Sequence, residues 1–283
     1  MSEFLAALAD PDIPVIRHAF FAGVLASLAL GIVGSFTVAR RITYVAGAIS
    51  HSVLGGIGAA LFLQSAWGVL WLRPLHGAVI AGVLSAMVLA WVNSCARQRE
   101  DTAISAVWAV GMASGLLFLA RTPGYVDPMS YLFGDILLIS RQDLWLIVGL
   151  DALVILLSVA FYNKLLGVCF DETFARVRGV HVNVYYLLLL ILAALTVVLL
   201  VTIVGIVLVI ALLTLPAAVA AQFARRMWQM MALAAILAAV FTSVGLMNSY
   251  LYNLPSGPVI ILFAAAAYAL VLLGERATGR SSA

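Results

Sequence analysis

The sequence predicts an all-α integral membrane protein, a polytopic bundle of about nine transmembrane helices. Residues of the AVILMFWYC set make up 65% of the 283-residue chain and charged residues only 10%, against roughly 45–50% apolar and about 25% charged in a soluble domain. The apolar residues are gathered into runs of about 20, the length a helix needs to cross about 30 Å of hydrocarbon. A soluble core stops growing near about 250–300 residues, so this much apolar surface must face lipid or neighbouring helices.

Taken in order, the runs are Ala19 to Ala39, Val45 to Trp67, Leu75 to Cys95, Ala103 to Ala120, Leu144 to Tyr162, Tyr185 to Val204, Gly205 to Phe223, Met230 to Tyr250 and Val259 to Gly274. Tyr185 to Phe223 is an unbroken 39-residue apolar stretch. Its division at Gly205 rests on length alone, so eight or ten spans are the alternatives to nine. Residues 1–283 read as a single transmembrane domain with two connecting segments too long to be turns. The outer one, residues 121–143, holds Pro123, Pro128 and the apolar piece Tyr131 to Ile139, half the length of a span. It reads as a short re-entrant or interfacial helix. The inner one, residues 164–184, places Phe170, Phe174 and Val177 at i, i+4 and i+7, with Asp171, Glu172, Arg176 and Arg178 on other faces. This spacing predicts an amphipathic helix of about ten residues, ended by Gly179 as a C-cap. Such a helix either lies on the membrane surface or docks on a partner.

Orientation follows from the bias of Lys and Arg in short loops. With the first span running inward, one side collects Arg40, Arg41, Arg97, Arg99, Lys164, Arg176, Arg178, Arg225, Arg226, Arg276 and Arg280, and the other only Arg17, Arg73, Arg121 and Arg141. This places the C-terminus in the cytoplasm and, with nine spans, the N-terminus outside. Cys95 and Cys169 then lie on the reducing side as free thiols. The opening Met1-Ser2-Glu3 brings no cationic stretch before its apolar residues, so no cleaved signal peptide is expected.

Several function classes are excluded or disfavoured. The single Lys, Lys164, sits in Asn163-Lys164-Leu165, so a phosphate-binding GxxxxGK[ST] loop is absent. The net charge of +3 is small and scattered, which implies no nucleic-acid partner. None of His18, His51, His76 and His181 stands in HExxH, no GxSxG occurs, and no two acids lie at i, i+4 within a span. An intramembrane enzyme is therefore disfavoured. A proton-coupled carrier needs several intramembrane carboxylates, and only Asp151 is available.

Ionisable groups inside a bilayer are costly and point to function; within the spans these are His51 and Asp151. Ser52, Gly55 and Gly56 follow His51 closely, and small residues let helices approach, so His51 faces protein or a pathway. It is either a ligand for a borderline metal or a structural histidine bonded to a neighbouring carbonyl. Asp151 is either a carboxylate reaching an aqueous cavity or one held protonated by burial. Pro216 interrupts an apolar helix and predicts a kink. Met227, Met230 and Met231 read as interfacial packing.

Six strings in order along the chain resemble one family, the zinc/manganese permease family, which comprises the membrane subunits of ABC importers for zinc, manganese or iron. They are Arg40-Arg41-Ile42-Thr43-Tyr44 leading to Ala48-Ile49-Ser50-His51-Ser52-Val53-Leu54; Glu100-Asp101-Thr102-Ala103-Ile104; Tyr131-Leu132-Phe133-Gly134-Asp135-Ile136-Leu137; Asp171, Ala175 and Gly179-Val180; Gly205 through Leu213-Thr214-Leu215-Pro216-Ala217-Ala218 to Phe223-Ala224-Arg225; and Ser249-Tyr250 with Pro255-Ser256-Gly257-Pro258. The resemblance implies a fold similar to cobalamin-type ABC importer permeases, placed in a bacterial cytoplasmic membrane. It implies a homodimer lining the pathway, separate cytoplasmic ATPase subunits that use the ATP, and an extracytoplasmic metal-binding protein. It implies no permanently bound cofactor, the divalent metal being the transported substrate. The segment Asp171 to Gly179 corresponds to the coupling helix, with Phe170, Asp171, Phe174, Ala175 and Gly179 as its ATPase contacts, and Tyr131 to Ile139 to a short gating helix. His51 corresponds to a transient metal contact in the pathway.

The chain departs from the family where many members carry Asp four residues before the His, a position occupied here by Gly47; Asn253 likewise stands where some members carry Asp. The missing Asp leaves open an ABC permease for another small solute such as a chelated metal; the alternative from another class is an ATP-independent secondary carrier.

Overall fold

The computed structural model describes residues 14–69, 71–95, 100–124, 131–132, 134 and 139–277. Within them run α1 (Pro14–Ala39), α2 (Thr43–Trp67), α3 (Pro74–Cys95), α4 (Glu100–Arg121), α5 (Arg141–Ala160), α6 (Tyr162–Phe170), α7 (Glu172–Val177), α8 (Val182–Val204), α9 (Ile206–Phe223), α10 (Met227–Tyr252) and α11 (Ser256–Ala277). All but α6 and α7 are long and apolar enough to cross a membrane, so the described residues hold nine such helices. Each matches one of the nine apolar runs in the sequence.

Except for α9, which starts at Ile206 just after Gly205, the spanning helices begin earlier than the apolar runs, because the first turn of a helix accepts residues that hydrocarbon does not. Pro14 and Pro74 open α1 and α3, where a missing N–H costs nothing. The start of α5 is fixed by Ser140, whose Oγ accepts the Asp143 N–H at 3.3 Å while Asp143 Oδ2 accepts the Ser140 N–H at 2.9 Å. This reciprocal pair satisfies two amides at the helix start. Gly205, at φ +89°, divides the 39-residue apolar stretch into α8 and α9. Glycine adopts that conformation at little cost. Gly134, from the outer connecting segment, lies directly against this break: a Cβ at 134 would collide with Val204 carbonyl carbon and Gly205 nitrogen. Tyr131 and Leu132 beside it are helical and half-buried, while Phe133 and Asp135 to Leu138 of the expected re-entrant piece lie outside the described residues. Pro216 does not end α9, which runs unbroken from Ile206 to Phe223.

The core is centred on α1, α2 and α8, with Phe36, Ile49, Leu54, Leu189 and Leu190 fully buried. α1 packs on α10, α9 and α5, and α2 lies between α3 and α4. Glycines set these distances. A Cβ at Gly56 would collide with Gly77 O, and one at Gly77 with Gly56 O, so α2 and α3 touch backbone to backbone. A Cβ at Gly55 would lie 2.9 Å from Gly111 O and one at Gly58 2.7 Å from Gly115 O, which brings α4 onto α2 in the same way. Close approach through small residues is how helices associate where lipid removes the hydrophobic drive. The outer faces of α4 and α11 carry exposed Val110, Leu117, Leu262 and Leu270.

At the other end of the bundle from Gly205, Cys169 of α6 is buried, and its Sγ donates to Phe36 O at 3.9 Å. Burial pushes the thiol up to about 12, with the nearby Arg40 charge the smaller, opposing influence.

Two consequences are measurable. Gly56→Leu inserts a side chain into a backbone contact and lowers stability by about 1–3 kcal/mol, read as a lower melting temperature in detergent, whereas Gly149→Leu, which faces open space, leaves it unchanged. Because the thiolate is the reactive form, maleimide at pH 8 leaves Cys169 unlabelled in the folded protein and labels it after denaturation; rapid native labelling, located by peptide mass, would contradict the burial.

Candidate functional site

His51 sits about two turns into α2 and is only 8% exposed. Its ring stacks on the Trp108 indole of α4, with centroids 4.6 Å apart and planes 19° from parallel. Its Nδ1 has no hydrogen-bond partner, so the reading of a histidine bonded to a neighbouring carbonyl finds no support at that nitrogen. The surroundings are held by short polar links. Ser50 Oγ donates to Ala46 O at 2.8 Å, and Ser52 Oγ to Ala48 O at 2.9 Å and to Val107 O at 3.2 Å. The last of these ties α2 to α4 beside Trp108. Gly47, one turn before His51, meets the indole itself: a Cβ there would lie 2.8 Å from Trp108 Cζ3.

Asp151 occupies a separate interface, between α5 and α1. It is buried, its Oδ1 accepts the Ala29 N–H at 3.1 Å, and its Oδ2 has no partner. It therefore faces the backbone of α1 and not His51. Among the described residues no three of His, Cys, Asp and Glu come together as a metal-binding group. His76 instead bonds Trp71 O at 2.9 Å through Nδ1, and His181 stands exposed at the start of α8. Met227 and Met230 are buried in the apolar core with Met231 packed against it. Asn253 ends α10 in the left-handed conformation, φ 52°.

The inner segment corrects one expectation. The single helix of about ten residues is broken at Asp171, whose extended backbone separates α6, ending at Phe170, from α7, which is six residues long. The cause is capping: Asp171 Oδ1 accepts the Phe174 N–H at 2.9 Å, and an N-cap residue leaves helical geometry to do so. Phe170 thus stands on a different helix from Phe174 and Val177. All three are nonetheless strongly exposed, at 66%, 56% and 83%. Ala175 turns the other way and is buried; a Cβ on Gly167 of α6 would touch its Cβ at 3.3 Å. The far end closes as expected at Gly179, φ +77°. Val180 N–H bonds Ala175 O and Gly179 N–H bonds Arg176 O, both at 3.0 Å, the pair that ends a helix in a Schellman motif.

Residues that spacing alone did not single out anchor this segment to the bundle. Arg40, in the turn after α1, pairs with Glu172 of α7 and lies 5.3 Å from the Tyr186 ring centroid of α8. Arg176 flanks Glu172 at 3.8 Å, and the Arg178 guanidinium lies 5.1 Å over the Phe174 ring. Arg40 and Glu172 are 132 positions apart, so no local pattern reveals the pair. Trp108 left one signal: it lies about two turns inside a helix, whereas Trp belongs at membrane interfaces.

Residues 12–275 match the ABC 3 transport family. The chain is 42% identical over 262 residues to an uncharacterized membrane protein of Synechocystis sp., covering 92% of this chain and 91% of that one. It is 35% identical over 256 residues to the manganese transport system membrane protein MntC of Halalkalibacterium halodurans, covering 90% and 85%. In three dimensions it resembles PsaBC from Streptococcus pneumoniae in complex with Fab, with a TM-score of 0.83 and 29% identity over 95% of this chain and 94% of that one. A match over almost the whole length, spanning the elements that position His51 and the α6–α7 segment, is decisive: the chain belongs to the ABC 3 transport family.

Proposed function

We propose that two copies of this chain form a path through a bacterial cytoplasmic membrane for a divalent transition metal, and that ATP-driven rearrangement alternately opens the bundle to its two sides. The chain is the permease subunit of a metal-ion ABC importer and is not itself an enzyme; ATP hydrolysis resides in a separate chain. The observation that carries this reading is the family match over residues 12–275. Manganese heads the candidates, ahead of zinc and iron, because the Halalkalibacterium relative is named for it.

Several features support the finer parts. The basic side of the bundle is cytoplasmic, with the C-terminus there; the Arg40–Glu172 pair brings the α1–α2 turn and α7 to one end, as that orientation requires. Phe170, Phe174 and Val177 are apolar, exposed and outside the spanning helices, a surface that a cytoplasmic ATPase groove would cover. Asp171, Ala175 and Gly179 shape that surface by capping α7, seating it on α6 and ending it. An extracytoplasmic binding protein delivers the metal to the opposite end, where the segment containing Tyr131, Leu132 and Gly134 rests on the α8–α9 break as a gate. His51 is the transit contact. A single imidazole without a carboxylate binds weakly enough to release, as conduction requires.

The complex of this chain with its ATPase and binding protein, held in lipid nanodiscs, tests the reading through metal-stimulated ATP hydrolysis. Phe174→Ala, or Gly179→Leu, which forces a side chain into a backbone conformation costing roughly 1–2 kcal/mol, abolishes the stimulation while the chain still inserts. Full stimulation in both variants would remove α7 from coupling. In sealed proteoliposomes of the same complex, His51→Ala lowers uptake of the metal at least several-fold and shifts the melting temperature only slightly; parallel loss of stability and uptake would mark a structural histidine, and unchanged uptake would take His51 out of the pathway. Stimulation by a metal chelate and not by the free ion would assign the system to chelated metals.

A further inference from the structure

We infer that Trp108 is the positioning residue for His51: its indole fixes the imidazole plane and supplies the electron-rich face against which a metal-bound imidazole is stabilised. The inference rests on the reading of His51 as a transit contact and adds to it the group that does the work a neighbouring acid would otherwise do. The rings lie 4.6 Å apart and within 19° of parallel. In that arrangement the indole covers one face of the imidazole and makes no in-plane contact with its nitrogens. Nδ1 is indeed free, in a side chain 8% exposed. A buried polar atom left without a partner is costly, and a nitrogen that no protein group occupies is one a metal can take when the bundle opens around it.

The chemistry of the pair suits a site without a carboxylate. A cation bound at imidazole nitrogen draws charge from the ring, and a positively polarised group over the face of Trp is attracted by the ring quadrupole. The indole thus favours the metal-bound imidazole over the free one. Unlike a carboxylate it adds no full charge and no second ligand, so the metal is held by one bond and leaves readily.

The sequence around both residues is built for this contact. Any side chain at 47 would need the space the indole fills, since even a Cβ there would lie 2.8 Å from Cζ3 and 3.2 Å from Cη2 of Trp108. Gly47 is therefore what lets the indole reach across to His51. The backbone of Trp108 is fixed by its neighbours: Val107 O accepts the Ser52 hydroxyl at 3.2 Å, and a Cβ at Gly111 would lie 2.5 Å from Ser52 Cα. α4 cannot draw back at this level without parting from α2.

The test uses the permease–ATPase–binding-protein complex in nanodiscs, with Mn2+ and Zn2+ as probes. Trp108→Ala raises the KM for metal-stimulated hydrolysis about three- to ten-fold with kcat little changed, and Trp108→Phe, which keeps a π face, recovers most of the loss. Gly47→Ala, which displaces the indole without removing it, reproduces the Trp108→Ala phenotype, and the double variant is no worse than either single one. Zn2+ also changes the Trp108 emission, taken as wild type minus Trp108→Phe, and this change is lost in His51→Ala. A Trp that serves packing alone predicts a different pattern: a fall in kcat or in melting temperature, no metal-dependent emission, and additive effects at 47 and 108. That pattern, or an unchanged KM in a stable Trp108→Ala complex, overturns the inference. Should His51→Ala leave uptake into sealed proteoliposomes unchanged, the transit reading fails as well; loss of that uptake in His51→Ala with a normal KM in Trp108→Ala overturns only the role of Trp108.

Discussion

How closely α2 can lie against its neighbours decides what the interior of this bundle can hold. At Gly56 and Gly77 the backbones of α2 and α3 touch, and at Gly55, Gly58, Gly111 and Gly115 those of α2 and α4 do. In lipid, where apolar side chains gain nothing by leaving the solvent, such contacts and the Ser52 bond to Val107 O are the forces available. They bury His51 beneath Trp108 on the flank of α2. Helices held a few ångströms further apart would leave the imidazole open to lipid, and a polar ring there has no acceptable partner. The glycines are thus prior to the chemistry: they make a place inside the bundle where the Nδ1 of one histidine is kept without a hydrogen bond.

A second link joins that interior to one end of the bundle. Arg40 follows directly from α1, whose residue Ala29 donates its N–H to Asp151 and whose Gly34 lies against α9. At its far end the same helix reaches Glu172 through Arg40, and Phe36 O receives the Cys169 thiol. Two short helices outside the spanning bundle are therefore fastened to α1 and the turn after it by an ion pair and a buried thiol, while Arg40 also lies over Tyr186 of α8. α1 in turn touches α5, α8, α9 and α10, so a displacement of α7 would reach those helices through α1. Rigid packing transmits such a displacement because interiors are close-packed.

Much of this was legible in the sequence, for a physical reason. Nine apolar runs of spanning length gave nine spanning helices among the described residues because hydrocarbon leaves the backbone no other choice, and Gly205 divided the longest run because that position adopts φ +89°. His51 and Asp151 stood out because ionisable groups in a bilayer are expensive. What they touch did not: Trp108 meets His51, and Ala29 meets Asp151, only through packing between helices distant in the chain. Similarly the spacing of Phe170, Phe174 and Val177 reported correctly that an apolar surface exists, yet misplaced Phe170. Periodicity counts residues as though a helix were continuous, and Asp171 preferred to cap α7 over extending α6. Gly47 shows both sides: the missing acid is visible in the sequence, whereas the indole that takes its space is visible only in the fold.

The most direct test of the account is uptake of radioactive manganese by sealed proteoliposomes containing the chain, its ATPase and its binding protein, with the ATPase side supplied with ATP or with a non-hydrolysable analogue. The account predicts accumulation against the gradient with ATP, none with the analogue, and none when the ATPase is left out. Equal accumulation by the chain alone, insensitive to ATP, would show a secondary carrier and contradict the account.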